Sequence, residues 1–202
     1  ILLPTFKSPL NEIKSAAGNS KILLTTYFES IDKKVKEEVF ASDVDAVHLD
    51  LVRGESNKDY IKNSNKTLSL GVVNGRNIWK SDLSKIIEQL KDVDGDFIIS
   101  SSCPLLHTPY DLDLETKVPG EIKKWLAFAK QKLHELNILK ENIDNGKAKD
   151  KLSSNKADTE ARQKSKLIHD DTVKARIKTI NDSVLNRVSK YEERANIQRE
   201  IF

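Results

Sequence analysis

Methionine is missing from all 202 residues, position 1 included. A translated reading frame opens with methionine, so Ile1 is expected to be a processed end or a cut through a longer protein, and the chain a fragment. Cysteine occurs once, at Cys103, which excludes an internal disulfide and a cysteine-rich metal site. No apolar run approaches the roughly 18 residues of a membrane span. Ile1-Leu2-Leu3 stops at Pro4 without a basic leader and does not read as a secretory signal. Together these absences point to a cytoplasmic protein without a membrane partner. Blocks of five or six like charges are lacking too. The net charge of +3 arises wholly after residue 140, where 14 of the 34 basic and 11 of the 31 acidic residues lie. Acids and bases alternate there, as on a solvated helical face, so nucleic acid is not expected as a partner.

What is present is enough for one sizeable core, or one domain with an appendage: 38% of residues are apolar and 32% charged. The stretch Leu68 to Lys80, LSLGVVNGRNIWK, passes from an apolar strand through Asn74-Gly75-Arg76-Asn77 into a tryptophan and then a helical rhythm. This is how a βα unit reads, with packing in the strand and helix and function in the turn between them. Gly75 is expected to supply unusual backbone angles, and Asn74, Arg76 and Asn77 to supply donors at the strand's carboxyl end. An Asn-Gly pair is also a common solvated turn.

Other segments repeat the pattern. Ser8-Pro9 predicts a helix with proline at its first position, ending near Gly18. Strands are expected over Lys21 to Phe28, Asp45 to Val52, Leu68 to Val73 and Asp96 to Ser101. Helices are expected around Val35 to Phe40, Lys58 to Asn63 and Ser81 to Leu90, the last with Ser81 as N-cap. Strands alternating with helices about every 25 residues predict a parallel sheet. Four βα units make half of an eight-stranded (β/α)8 TIM barrel, and an open half has two unpaired edges. The fold class expected is therefore α/β: a half barrel followed by a helical extension. Pro119 to Asn142 reads as one strong helix closed by Asp144-Asn145-Gly146, with Trp125, Leu126, Phe128 and Leu133 on its apolar face. Beyond Lys147 a polar break at Ser153 to Lys156 precedes helices at Ala157 to Ile168, Thr172 to Ile180 and Ser183 to Ile201. The domain division expected is 1–143 for the half barrel and 144–202 for the extension.

Three groups of residues invite a chemical reading. His48 and Asp50, two apart on one strand, share a face and read either as a base with its orienter or as a packed, hydrogen-bonded histidine. The loop Ser101 to Lys117 is too long for an ordinary βα turn. Its Cys103 and His107 read either as a nucleophile and base, as half a metal site, or as parts of a structural loop held by Leu105, Leu106 and Tyr110. Asn74, Arg76 and His107 are the candidates for lining a ligand cleft.

Five ordered blocks carry a resemblance: TTYF at Thr25, HLDLVR at His48, LSLGVVNGRNIWK at Leu68, SSCPLLHTPYDLDLETK at Ser101 and WLAFAKQKLHEL at Trp125. They resemble cobalamin-independent methionine synthase, from about Lys21 to the chain end. The resemblance implies a two-barrel methyltransferase that moves the methyl group of 5-methyltetrahydropteroyltri-L-glutamate to L-homocysteine in methionine biosynthesis. This chain resembles the second half of its amino-terminal barrel and the helices that follow. The family's zinc ligands, homocysteine site and proton donor lie in the carboxy-terminal barrel, and its basic residues for the folate glutamates precede Ile1. No catalytic, metal or substrate-binding residue is thus carried over, and the chain alone is expected to be inactive scaffold. The partners implied are the remainder of the parent chain, or a second copy completing the barrel. An alternative is a standalone, non-catalytic half-barrel module that self-associates or binds an anionic ligand. Another is a different barrel enzyme using His48, Asp50 and Cys103.

Overall fold

The computed structural model describes residues 2–62, 64–181 and 190–201. It divides into two compact units, Ile1–Glu160 and Ala161–Phe202. In chain order the first holds α1 (Leu2–Ala16), β1 (Leu23–Thr25), α2 (Lys33–Ala41), β2 (Ala46–Asp50), a 3-10 turn (Glu55–Tyr60), β3 (Thr67–Val73), α3 (Leu83–Leu90) and β4 (Phe97–Ser101). Short 3-10 turns at Leu105–His107 and Leu112–Leu114 follow, then α4 (Gly120–Lys123), α5 (Ala129–Asn145) and the start of α6 (Lys149–Lys164).

The four strands are all parallel and lie side by side in chain order. Thr25, His48, Ser69 and Ile98 stand in one row across the sheet, and Leu24, Val47, Leu68 and Phe97 in the next. Successive strand residues point to opposite faces, so the sheet has two unlike sides. One carries Leu24, Val47, Leu49, Leu68, Leu70 and Val72, which pack with Val39, Leu83, Ile86, Leu90, Ile138 and Leu139 in the main core. Full burial of a leucine side chain contributes about 1.5–3 kcal/mol. Fully buried Leu49, Leu70, Leu83 and Leu139 therefore dominate this layer. The other side carries Thr25, His48, Asp50, Ser69 and Gly71 at its centre, and at its flanks Leu23 and Ile98, 43% and 47% exposed. Among the described residues neither β1 nor β4 has a further strand neighbour.

Several boundaries differ from those expected. α1 starts at Leu2 and takes Pro9 into its interior. β1 ends at Thr25, because pairing with β2 stops at His48 and the Thr26 hydroxyl donates to the His48 carbonyl instead. It is an edge strand, not a buried one. A 3-10 turn at Glu55–Tyr60 replaces the helix expected at 58–63, whose last residue, Asn63, lies outside the described residues. The N-cap of α3 is Asp82, whose carboxylate accepts from Lys85 N; the backbone N–H of Ser81 donates to Glu135 Oε1. The long helix expected from Pro119 is broken. A turn at Lys124 and Trp125 follows α4, Leu126 is bridged antiparallel to Trp79, and α5 begins only at Ala129. Trp125, Leu126 and Phe128 are buried in that linking segment, whereas Leu133 on α5 is 59% exposed. Gly146 ends α5 at φ 67, as the Asp-Asn-Gly sequence foretold.

The polar break expected at Ser153 to Lys156 lies inside α6, because the Asn155 amide is buried and bonded to Ser81 O and Leu83 N. In the second unit α7 (Asp171–Lys178) is capped by Asp170, which accepts from Thr172 N and Val173 N, and α8 covers Tyr191–Ile201. None of the described side chains of these two helices is buried. Val184, Leu185 and Val188, expected on a helical face, lie outside the described residues.

Candidate functional site

In a parallel sheet the loops that follow the strands gather at one end, where βα folds concentrate function. The loop after β3 is tied down from both sides. Asn74 Oδ1 accepts from Arg76 N at 2.8 Å, and Gly75 N donates to Ser102 Oγ at 3.2 Å. Gly75 is needed for a close approach, not for unusual backbone angles. A Cβ there would stand 2.6 Å from Cys103 O and 2.8 Å from its Sγ. Asn77 turns its oxygen inward, accepting from Trp79 N at 3.1 Å and from Lys132 Nζ at 3.4 Å.

Lys132 and Glu135, one helical turn apart on α5, hold the other end of this loop. The buried Lys132 ammonium donates to Trp79 O at 3.1 Å, and Glu135 Oε1 accepts from Ser81 N at 2.8 Å. Burial lowers the Lys132 pKa and raises that of Glu135, each partly opposed by the other's charge. Glu135 Oε2 has no hydrogen-bond partner among the described residues. The helical period places both residues on α5, yet nothing in their spacing marks them as buried.

Of the cleft candidates, the structure brings Arg76 and His107 together on a residue that the sequence did not single out. The Arg76 guanidinium lies over the ring of Phe28, 4.7 Å from its centroid, and the His107 ring is 5.8 Å from the same ring, inclined by 61°. Tyr27 meets Phe28 edge-on at 5.4 Å and reaches His48 at 6.4 Å. Among the described residues the Arg76 guanidinium and the His107 imidazole have no hydrogen-bond or ion-pair partner. Asn74 belongs to this mouth through its bond to Arg76 N. The cue available in the sequence was Tyr27-Phe28 just after a strand, masked by the expectation that the strand runs through them.

His48 is packed. Its Nε2 lies 3.3 Å from Ser102 O, which can only accept, so the proton sits on Nε2 and Nδ1 accepts from Ser69 Oγ at 3.0 Å. Burial holds its pKa below the ordinary value of 6.5. Asp50 does not orient it. The buried Asp50 carboxylate accepts instead from Val52 N, Arg53 N and Glu29 N. Cys103 and His107 make no hydrogen bond to each other. The thiol is buried, its pKa raised chiefly by that burial, so it is held as the unreactive thiol. No group of three His, Cys, Asp or Glu side chains suited to a metal ion occurs among the described residues. A neutral thiol and a dispersed donor set do not fit zinc, whose ligands are thiolates, imidazoles and carboxylates.

The segment that carries β1, β2, β3 and their loops has a counterpart among known families. Residues 3–97 match the family model for the cobalamin-independent synthase, N-terminal domain. Over these residues the chain is similar to that family. The match supports a methionine-synthase-related, methyltransferase function. It includes Phe28, His48, Asn74 and Arg76 and ends as β4 begins. It starts nearer the chain's beginning than the resemblance placed at Lys21, and Cys103, His107 and the Trp125 block lie beyond it. No helix among the described residues is long and apolar enough to cross a membrane.

Proposed function

We propose that this chain is scaffold and cleft wall of a cobalamin-independent methionine synthase, the enzyme that passes the methyl group of 5-methyltetrahydropteroyltri-L-glutamate to L-homocysteine. The observation that carries this reading is the family match over β1 to β3, whose loops present Asn74 and Arg76 beside His107. In this reading residues 1–143 are half of the amino-terminal barrel and 144–202 lead toward the catalytic barrel. The protein is cytoplasmic, its zinc is held by the other barrel, and the remainder of the parent chain supplies the missing strands. Four parallel strands in chain order with two free edges support the half barrel. So does the sheet face opposite the helices, where Leu23 and Ile98 stay exposed.

The contribution of this chain to the reaction is positional. Arg76, with its donors unspent, and His107 face the mouth and offer a carboxylate two points of attachment. Methionine formation is expected to be absent from the 202 residues alone and restored when the chain is co-expressed with the rest of the parent. Turnover by the chain alone, or a folded reassembled protein without turnover, contradicts the proposal.

A second reading, a standalone module that pairs two copies, draws on the same exposed Leu23 and Ile98 at opposite edges of one sheet face. Two four-stranded halves are enough to close eight strands. Light scattering separates the readings: a stable dimer supports self-pairing, and a well-folded monomer counts against it.

A further inference from the structure

We propose that Phe28 is a positioning residue for the mouth, its ring holding Arg76 and His107 in place to receive one carboxylate of a ligand. The inference rests on the cleft reading above and adds the β1 loop to it. Three residues far apart in sequence meet here, one from each of the loops after β1, β3 and β4. The guanidinium stacks on the ring face at 4.7 Å and the imidazole lies against the ring at 5.8 Å. A guanidinium stacked flat on an aromatic ring keeps its N–H edge free for a planar anion.

Core packing does not account for this phenylalanine, because its residue surface is 39% exposed. Its backbone is nevertheless held firmly. Glu29, the next residue, sits at φ 73, a left-handed conformation that glutamate adopts only when its surroundings impose it. The imposing group is the buried pair Asp50 and Asn57. Asp50 Oδ2 accepts from Glu29 N at 3.3 Å, and Asn57 Nδ2 donates to Glu29 O at 3.2 Å and to Asp50 O at 2.8 Å. Two fully buried polar residues thus fix the turn that presents an exposed ring. Neither neighbouring acid occupies Arg76: Asp50 accepts three backbone N–H groups, and Glu29 faces Arg53 at 3.8 Å.

The test compares the 202-residue chain with its Phe28→Leu and Phe28→Tyr variants by nuclear magnetic resonance of the Arg76 Nε–H and His107 Cε1–H signals. In the unliganded chain both signals are expected to carry the shifts of a nearby aromatic ring. They should move to free side-chain positions in Phe28→Leu and stay in Phe28→Tyr, while β2 and β3 amide signals remain unchanged. Titration with 5-methyltetrahydrofolate triglutamate, followed by the same signals, should show binding weakened about two- to fivefold in Phe28→Leu, the range of an exposed cation–π contact. Signals unmoved by Phe28→Leu, or equal binding by the two variants, overturn the proposal. If the unsubstituted 202-residue chain binds no ligand, the cleft reading and the ligand-receiving part of this proposal fail together, and the unliganded spectra still decide whether Phe28 positions the two side chains.

Discussion

Gly75 shapes the mouth by having no side chain. An added methyl would meet the carbonyl of Cys103, a backbone atom that cannot swing away, so Gly75→Ala must displace the loop after β4. Overpacking of this kind costs about 1–3 kcal/mol, and a lowered urea midpoint with altered Cys103 and Ser102 amide signals is the expected outcome. At His48 the prediction concerns pH. Burial keeps its folded pKa below 6.5, whereas the unfolded chain takes up the proton near that value. The unfolded state therefore binds more protons below pH 6.5, and the stability present above that pH is lost as pH falls toward the folded pKa. Its Cε1–H signal should titrate with a midpoint below 6.5; a midpoint at or above 6.5 contradicts the packed assignment. The Asn-Gly turn and the packed histidine were legible in the sequence. The reason for the glycine was not, since it depends on Cys103, 28 positions away. Phe28 and Lys132 were hidden for a related reason: the surroundings that expose one and bury the other come from distant segments.

Among the elements, the sheet was legible because each strand is a local apolar run followed by a helical rhythm. The stretch from Pro119 was not, because its apolar residues fit a helix equally well. What breaks it is tertiary. Lys80 N donates to Trp125 O at 2.8 Å and Ala127 N to Ile78 O at 2.8 Å, so the loop after β3 draws the segment into an extended pairing. The polar run Ser153 to Lys156 likewise reads as a break in the sequence, yet it lies inside α6, where Asn155 holds the start of α3. Its amide donates to Ser81 O at 2.9 Å and accepts from Leu83 N at 3.1 Å. Asn155→Ala leaves both backbone groups short of a partner in a buried place. A loss of about 1–3 kcal/mol is expected, or roughly 2–4 °C in melting temperature per kcal/mol for a chain of this size. A variant as stable as the parent chain would show that α6 does not anchor α3.

At the scale of the whole molecule, the sheet has a helical side and an opposite side that is buried at its centre and exposed at its flanks. The helical side buries the aliphatic core, while the opposite side gathers His48, Asp50 and Ser69 between the exposed Leu23 and Ile98. The loops at the strands' carboxyl ends form the mouth, where Arg76 and His107 have no hydrogen-bond or ion-pair partner among the described residues. We propose that these loops retain part of a folate-recognising cleft. The most direct test is calorimetric titration of the purified 202-residue chain with 5-methyltetrahydrofolate triglutamate, alongside Arg76→Ala. Saturable binding that Arg76→Ala weakens about tenfold, as for loss of a charge-assisted pair, is the predicted result. No heat at high ligand concentration, or binding that Arg76→Ala leaves unchanged, would contradict it.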